Sequence, residues 1–187
     1  MRDVRGLILL SRYDFLESEL DGNALKQLSE MLSPQTREMV TEQIFPVNRY
    51  PFSVLKEIDQ IIPQMVSLPL EKLFRQIGKN FAAVIVDRYF YNYRVAHQPD
   101  KFLVQFKNLY HHLWGVGAFE YNFQDRNHVT LTFEYEEDIH KPYCWFLQEF
   151  FRESIRLCGA TEVWLKELEC DAENGEKCRY KISWREQ

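Results

Sequence analysis

The sequence is short of the residues that divide a chain into separate units. Glycine and proline occur only seven times each among 187 residues, and there is no internal repeat, low-complexity tract or long Gly/Ser linker. Residues 1–187 are therefore expected to form one domain, with 1–50 as a helical appendage and 51–187 as the main body. Basic runs are also missing and the net charge is −5, so nucleic acid is not an expected partner.

Long apolar segments are missing as well. The apolar part of the opening stretch, Leu7–Leu10, is too short for a signal peptide or a membrane span. We therefore expect a cytoplasmic protein. In that compartment its four cysteines stay reduced and bind a metal more readily than they form disulfides.

The motifs of common enzyme classes are absent too. The chain has no G-x-S-x-G elbow, H-E-x-x-H helix, P-loop or dinucleotide-binding fingerprint. We therefore do not expect an enzyme. The histidines lack metal-ligand spacing and are expected at the surface or partly buried; they are His97, His111, His112, His128 and His140.

Helical periodicity and turn signals dominate the first part of the sequence. The run Val4–Tyr13 fits either a strand or a short helix. Helices are predicted over Phe15–Leu32 with a break near Asp21-Gly22, from Pro34 to about Gln43 after Ser33 as N-cap, over Phe52–Ile62, from Leu70 to about Val95, and over Phe102–Leu113.

Aromatic residues are concentrated in the last two of these helices. Phe102, Phe106, Tyr110 and Trp114 recur at helical spacing. Such a stripe usually fills a core. The alternative, which we retain, is that these four side chains line a pocket for a flat apolar ligand.

Beyond Gly117 the apolar period changes to two, which is typical of strands. Two hairpins, over Phe119–Tyr135 and Glu162–Trp184, flank a helix from about Tyr143 to Cys158. The pattern predicts an α+β domain in which N-terminal helices precede a ββαββ unit with an antiparallel sheet.

Three cysteines and one carboxylate near the C-terminus have the order of a metal site. Twenty-two residues separate Cys144 from Glu167, two separate Glu167 from Cys170, and seven separate Cys170 from Cys178. A helix that starts at Cys144 and a hairpin that joins the other three would give four ligands to one structural Zn²⁺. The residues alone leave open a second interpretation, of buried thiols and a solvated carboxylate.

The same stretch resembles the 4-vinyl reductase (V4R) domain, which also forms the sensory part of bacterial activators of aromatic catabolism. The matching residues are Cys144-Trp145, Lys166–Cys170, Gly175 and Cys178-Arg179. In those activators the corresponding cysteines and glutamate hold zinc beneath a pocket for phenolic effectors. The resemblance therefore implies a zinc site within 144–178, with Cys144, Glu167, Cys170 and Cys178 as ligands.

A second resemblance covers the upstream part of the chain. Val4–Leu7, Tyr50–Phe52 and Phe74–Gly78 are similar to a bacterial family of stand-alone proteins related to the haem nitric-oxide binding fold. This implies a ligand-binding domain of the NO-signalling/Golgi-transport type, an architecture shared with subunits of the vesicle-tethering complex TRAPP. That family's haem-anchoring Tyr-x-Ser-x-Arg pattern is not found, since Tyr89–Arg94 echoes it only superficially, and we expect no haem.

Together these features predict a sensory or regulatory module. It would contain structural zinc, bind an apolar aromatic or acyl molecule, and signal through a protein partner, and we expect a homodimer. The alternative is a TRAPP-like interaction adaptor without a ligand.

Overall fold

The computed structural model describes residues 3–20, 22–40, 43–136 and 138–186. Asp21 and the residues just before Gln43, at which the sequence predicts a helix break and a helix end, lie outside these ranges. The elements in chain order are β1 Asp3–Arg5, α1 Gly6–Glu19, α2 Ala24–Met31, α3 Pro34–Val40, β2 Arg49–Pro51, α4 Phe52–Met65, α5 Leu70–Tyr89, α6 Tyr91–Val95, α7 Pro99–Leu113, β3 Ala118–Asp125, β4 His128–Glu134, α8 Lys141–Leu157, β5 Ala160–Glu169 and β6 Cys178–Glu186.

The N-terminal apolar run contains both of the structures that its pattern allows. Val4 lies in β1, which pairs antiparallel with β2 opposite Tyr50, and the rest of the run is the first part of α1. Val4 and Tyr50 are buried in the same hydrophobic core as the rest of the chain. The division of the chain at residue 50 stays a prediction.

The long helix predicted to reach Val95 ends earlier. Helix α5 stops at Tyr89, and Phe90 has φ −130° and ψ 17° before the short helix α6 begins. The Phe90 ring contacts Phe102 edge to face at 4.9 Å between centroids. Packing of this ring between α5 and α7 thus outweighs the helical periodicity of the sequence.

The four-stranded antiparallel sheet has the order β3-β4-β6-β5. Both predicted hairpins form, with Phe119 opposite Phe133 in the first and Leu165 opposite Ile182 in the second. In β6 the predicted alternation is confirmed, since Cys178, Tyr180, Ile182 and Trp184 are all buried. This face of the sheet packs against α8.

Helices α5 and α8 lie unusually close together at Gly78. A Cβ atom at that position would come within 2.3 Å of the backbone oxygen of Phe146. Any larger residue would push α8 away from α5, so the sequence requires glycine there. The contact brings the backbone of Phe146, whose side chain is fully buried, directly against α5.

The predicted α+β class and element order are confirmed. Among the described residues no helix has the length and apolar character needed to cross a bilayer.

Candidate functional site

The four aromatic residues predicted as a pocket lining are buried within the core. Phe102, Phe106, Tyr110 and Trp114 are at most 1% exposed. The Phe106 ring centroid lies 5.4 Å from that of Phe150 on α8, and Trp114 lies 4.6 Å from the same ring. We call these five side chains the aromatic layer. They fill the space between α7 and α8.

Surface clefts lie elsewhere. Five clefts on the described surface have volumes of about 310–560 Å³, and none of them is lined by Phe102, Phe106, Tyr110 or Trp114. A ligand could enter the aromatic layer only if some of its rings moved apart. The assignment of these four residues to a pocket stays a prediction.

At one side of the aromatic layer lies a group of buried polar atoms that make no hydrogen bond of normal geometry among the described residues, although Tyr143 has Trp114 as its polar neighbour and Tyr180 has Cys178. They are Trp114 Nε1 and the hydroxyls of Tyr135, Tyr143 and Tyr180. Tyr135 and Tyr143 meet edge to face at 6.1 Å, and burial followed by its tyrosine neighbours raises the pKa of Tyr135 well above its usual value. We call this group the unpartnered corner.

Tyr110 differs from these tyrosines. Its hydroxyl donates a hydrogen bond of 2.5 Å to the carbonyl oxygen of Val116. Burial, with the nearby Cys178 thiol, raises the pKa of Tyr110 above its usual range. Unpaired buried polar groups cost free energy. The hydroxyl of Tyr110 therefore stabilises the fold through its hydrogen bond, and the three hydroxyls of the unpartnered corner make no such bond.

Three thiols lie next to the unpartnered corner. Cys144 Sγ is 3.6 Å from Cys170 Sγ and 3.8 Å from Cys178 Sγ. Hydrogen bonds with the other two sulfurs, together with burial, raise the pKa of Cys144 far above its ordinary value. The hydrogen bond with Cys144 lowers the pKa of Cys170 to about 7 in spite of burial. The order of the cysteines in the sequence had predicted this contact between Cys144 of α8 and the two cysteines of the second hairpin. Cys158 is a buried thiol away from it, as expected.

Glu167 is held by other groups. Lys141 Nζ donates to Glu167 Oε1 at 2.7 Å and also bonds Glu173 at 2.7 Å, while Gln148 Nε2 donates to Glu167 Oε2 at 2.5 Å. Burial opposes the charge on Lys141, but its bonds to Glu167 and Glu173 raise its pKa above the usual value. Glu167 comes close to Cys170 and Glu173 but does not join the group formed by the three sulfurs.

A second buried polar group was not anticipated from the sequence. The Arg12 guanidinium makes two hydrogen bonds to the Asp59 carboxylate, at 2.9 and 3.1 Å, and both side chains are fully buried. His140 Nε2 lies 2.8 Å from Asp59 Oδ2. Burial alone would raise the pKa of Asp59, but the charge of Arg12 and the hydrogen bond with His140 lower it. This junction joins α1, α4 and the residue before α8.

The only signal for the junction in the sequence is indirect. Arg12 and Asp59 each occupy a helix position whose neighbours one turn away, such as Ile8 and Leu55, are apolar. A charge on the buried face of a helix requires a partner, but the pattern does not say which one. His140 is partly buried, within the expectation for the histidines.

Comparison with solved structures identifies proteins of similar fold. No family model and no curated protein matches the sequence. Among solved structures, the unliganded Fe(II) H-NOX protein from K. algicida is similar, with a TM-score of 0.72, 14% identity and coverage of 98% of this chain and 97% of that chain. The Fe(II)NO state of an H-NOX protein from S. oneidensis gives a TM-score of 0.71, 13% identity, and 97% and 99% coverage.

A third similar structure is an oxygen-binding H-NOX domain related to soluble guanylate cyclases, with a TM-score of 0.67, 14% identity, and coverage of 96% of this chain and 94% of that one. The likeness spans nearly the whole chain in each case. The chain has an H-NOX-like fold. This confirms the predicted similarity to the haem nitric-oxide binding fold, whereas the similarity to the V4R domain rests on sequence motifs alone.

The predicted zinc cofactor is wrong. The similar H-NOX structures from K. algicida and S. oneidensis are described as Fe(II) and Fe(II)NO states, the third is described as an oxygen complex, and none of these descriptions names zinc. Within this chain the four-ligand set is also incomplete, because Lys141 and Gln148 occupy the Glu167 carboxylate. The sequence spacing correctly predicted that Glu167 lies near Cys170. It could not show that Lys141 and Gln148 donate hydrogen bonds to the Glu167 carboxylate.

Proposed function

We propose that this protein is a small-molecule sensor module, without enzymatic activity, that binds an apolar aromatic or acyl molecule with one polar end and signals through a protein partner. The observation that carries the proposal is the unpartnered corner, which lies beside the aromatic layer in a chain with an H-NOX-like fold. The V4R-like motifs around Cys144 and Cys170 support the same function.

The physical argument concerns the cost of the unpartnered atoms. A buried polar group without a hydrogen bond costs up to about 1–3 kcal/mol, and Trp114 Nε1, Tyr143 Oη and Tyr180 Oη make no hydrogen bond of normal geometry. A ligand that offers a hydroxyl or carbonyl oxygen to them removes part of that cost on binding. Its apolar part would at the same time gain about 25 cal/mol for each Å² buried against the rings.

The site would open by movement of side chains. The rings of Phe106, Trp114 and Phe150 touch edge to face or tilted, at 4.6 to 5.4 Å. Such contacts contribute only about 0.5–1.5 kcal/mol per pair beyond burial. A ligand ring that replaces one protein ring would restore these contacts, and the burial of the ligand would have to offset the burial lost by the displaced ring.

Haem is the group that the iron proteins of similar fold suggest, so its fit to this chain matters. Haem iron needs an axial ligand such as histidine. Of the five histidines, His97, His111 and His112 are exposed, His128 bonds Asp125, and His140 bonds Asp59. The aromatic layer also fills the space between α7 and α8. The described residues do not fit haem, and its absence stays a prediction.

The ligand prediction is tested by thermal stabilisation with matched molecules. Phenol and decanoic acid should raise the thermal midpoint of the wild type, and toluene should raise it less than phenol does. In Tyr143→Phe the advantage of phenol over toluene should shrink. Phe74→Leu, a substitution in the core outside the aromatic layer, is the matched control and should keep that advantage. If no compound shifts the wild-type midpoint, the sensor proposal fails, and the adaptor without a ligand becomes the better description.

The haem prediction has a separate test. Protein expressed with a haem precursor should show no Soret band, because each described histidine is either exposed at the surface or hydrogen-bonded to a carboxylate. A stoichiometric band that shifts on addition of nitric oxide would contradict the prediction and make this a gas sensor like the proteins that share its fold.

A further inference from the structure

The outer face of the four-stranded sheet carries charged side chains in ordered rows. On this face Glu162 of β5 lies opposite Arg185 of β6, and Glu169 lies opposite Arg179. Both are ion pairs, at 3.2 and 3.7 Å. The rows near each end of the β5–β6 ladder are therefore neutral.

The middle of the same ladder is different. Lys166 and Lys181 are directly opposite each other on β5 and β6, and Thr130 of β4 continues the row. Both lysines are exposed. Neither has an acidic partner within ion-pair distance among the described residues. Like charges directly opposite in a sheet are destabilising, so the fold keeps an unfavourable pair at this place.

An exposed aromatic residue adjoins the two lysines. Trp164 is two residues from Lys166 on the same strand and 49% exposed. The guanidinium of Arg185 lies 5.4 Å from the centre of its ring. Leu168, 43% exposed, lies at the bulge between Glu167 and Glu169. The face thus combines an apolar surface with two uncompensated positive charges, in a chain whose net charge is −5.

We propose that this outer face, centred on Trp164, Lys166 and Lys181, binds an acidic segment of a partner protein. Carboxylates of the segment would lie between the two lysines and relieve their repulsion, and an apolar side chain would cover Trp164. The identification of this partner as the one that receives the sensor's signal rests on the proposed function. The binding surface itself does not depend on it.

A peptide fits this face better than a nucleic acid does. Sheet surfaces that bind RNA stack two or three bases on exposed aromatic side chains, and among the described residues of this face only Trp164 is such a side chain. Because Glu162 and Glu169 neutralise the arginines at the two ends of the ladder, uncompensated positive charge remains only at the centre, which is too little for the extended phosphate backbone of a nucleic acid. A short acidic segment needs to place its carboxylates only at that centre.

The probe is a fluorescent peptide of about eight residues, which at ~3.3 Å per residue spans the strands of the sheet, containing four glutamates and one phenylalanine. It should bind the full-length protein with an affinity that falls as salt is added. Lys166→Glu should weaken binding on the order of tenfold, because one attraction is lost and one repulsion is gained. Lys79→Glu, on the exposed side of α5, is the matched control and should bind like the wild type.

A stability measurement separates binding from folding. Glutamate at 166 faces Lys181 and replaces repulsion by attraction, so the thermal midpoint of Lys166→Glu should equal or exceed that of the wild type. Loss of peptide binding with a retained midpoint supports the proposal. Equal binding by Lys166→Glu and the wild type overturns it, as does binding of a single-stranded oligonucleotide in preference to the peptide. Phenol should stabilise Lys166→Glu as it does the wild type, so failure of this proposal and failure of the sensor proposal give different results.

Discussion

The junction and the unpartnered corner are both polar, both buried, and both in contact with the start of α8, yet they differ in how their polar atoms are satisfied. At the junction the Asp59 carboxylate accepts from Arg12 twice and contacts His140. At the unpartnered corner Trp114 Nε1 and Tyr143 Oη have no partner among the described residues. The Asp59 carboxylate is thus fully paired, although the other ring nitrogen of His140, Nδ1, has no partner among the described residues. Under the proposed function, the unpaired atoms of the corner are those that a ligand would meet.

Removing the Asp59 charge should have the largest effect. Asp59→Asn leaves the Arg12 guanidinium buried without its counter-charge, and loss of one partner of a buried pair costs about 3–5 kcal/mol. Urea denaturation should show that loss in the free energy of unfolding. The control is Glu71→Gln, which breaks a partly exposed pair with Arg75 and should cost less than about 1 kcal/mol.

The pH dependence gives an independent check of the same pair. Because the folded-state pKa of Asp59 is lowered, its contribution is present above the unfolded value of about 3.9 and is lost as the pH falls through the folded value. The wild type should therefore lose stability relative to Asp59→Asn below about pH 4. A difference between the two variants that does not change as the pH falls through 4 would mean that folding does not lower the pKa of Asp59.

A matched pair of tyrosine substitutions should give smaller effects of different sign. Tyr110→Phe removes the donor to the Val116 carbonyl and should lower the free energy of unfolding by about 1 kcal/mol. Tyr143→Phe removes a hydroxyl without a partner, so stability should be unchanged or higher by up to about 1 kcal/mol. Both are measured by urea denaturation. Equal losses in the two variants would show that Tyr143 has a partner, such as an ordered water, and would remove the contrast between the two regions.

The fold was largely accessible from the sequence because its signals are local. Alternation over Phe119–Tyr135 and over the strand that begins at Cys178 identified the strands, and both hairpins formed as expected. The predicted helix bounds are wrong where tertiary packing, and not the local sequence pattern, determines where a helix ends. Phe90 ends α5 because its ring meets Phe102, and no local pattern contains that contact.

The site was accessible only in part. Spacing correctly indicated that Cys144 would approach Cys170 and Cys178. It could not indicate that Lys141, the first residue of the same helix, would hydrogen-bond to Glu167. The junction was missed because its partners are 47 and 81 residues apart along the chain, and the choice among distant polar residues depends on three-dimensional distance.

Two neighbouring residues at the start of α8 hold opposite parts of the molecule. His140 contacts Asp59 of α4 in the N-terminal half, and Lys141 bonds Glu167 of β5 in the C-terminal hairpin. The peptide unit between His140 and Lys141 therefore connects helix α4 with the C-terminal hairpin. A ligand beside Tyr143 that displaced the first turn of α8 would therefore disturb Asp59 through His140 and the edge strand through the hydrogen bond of Lys141 with Glu167, the residue next to Lys166.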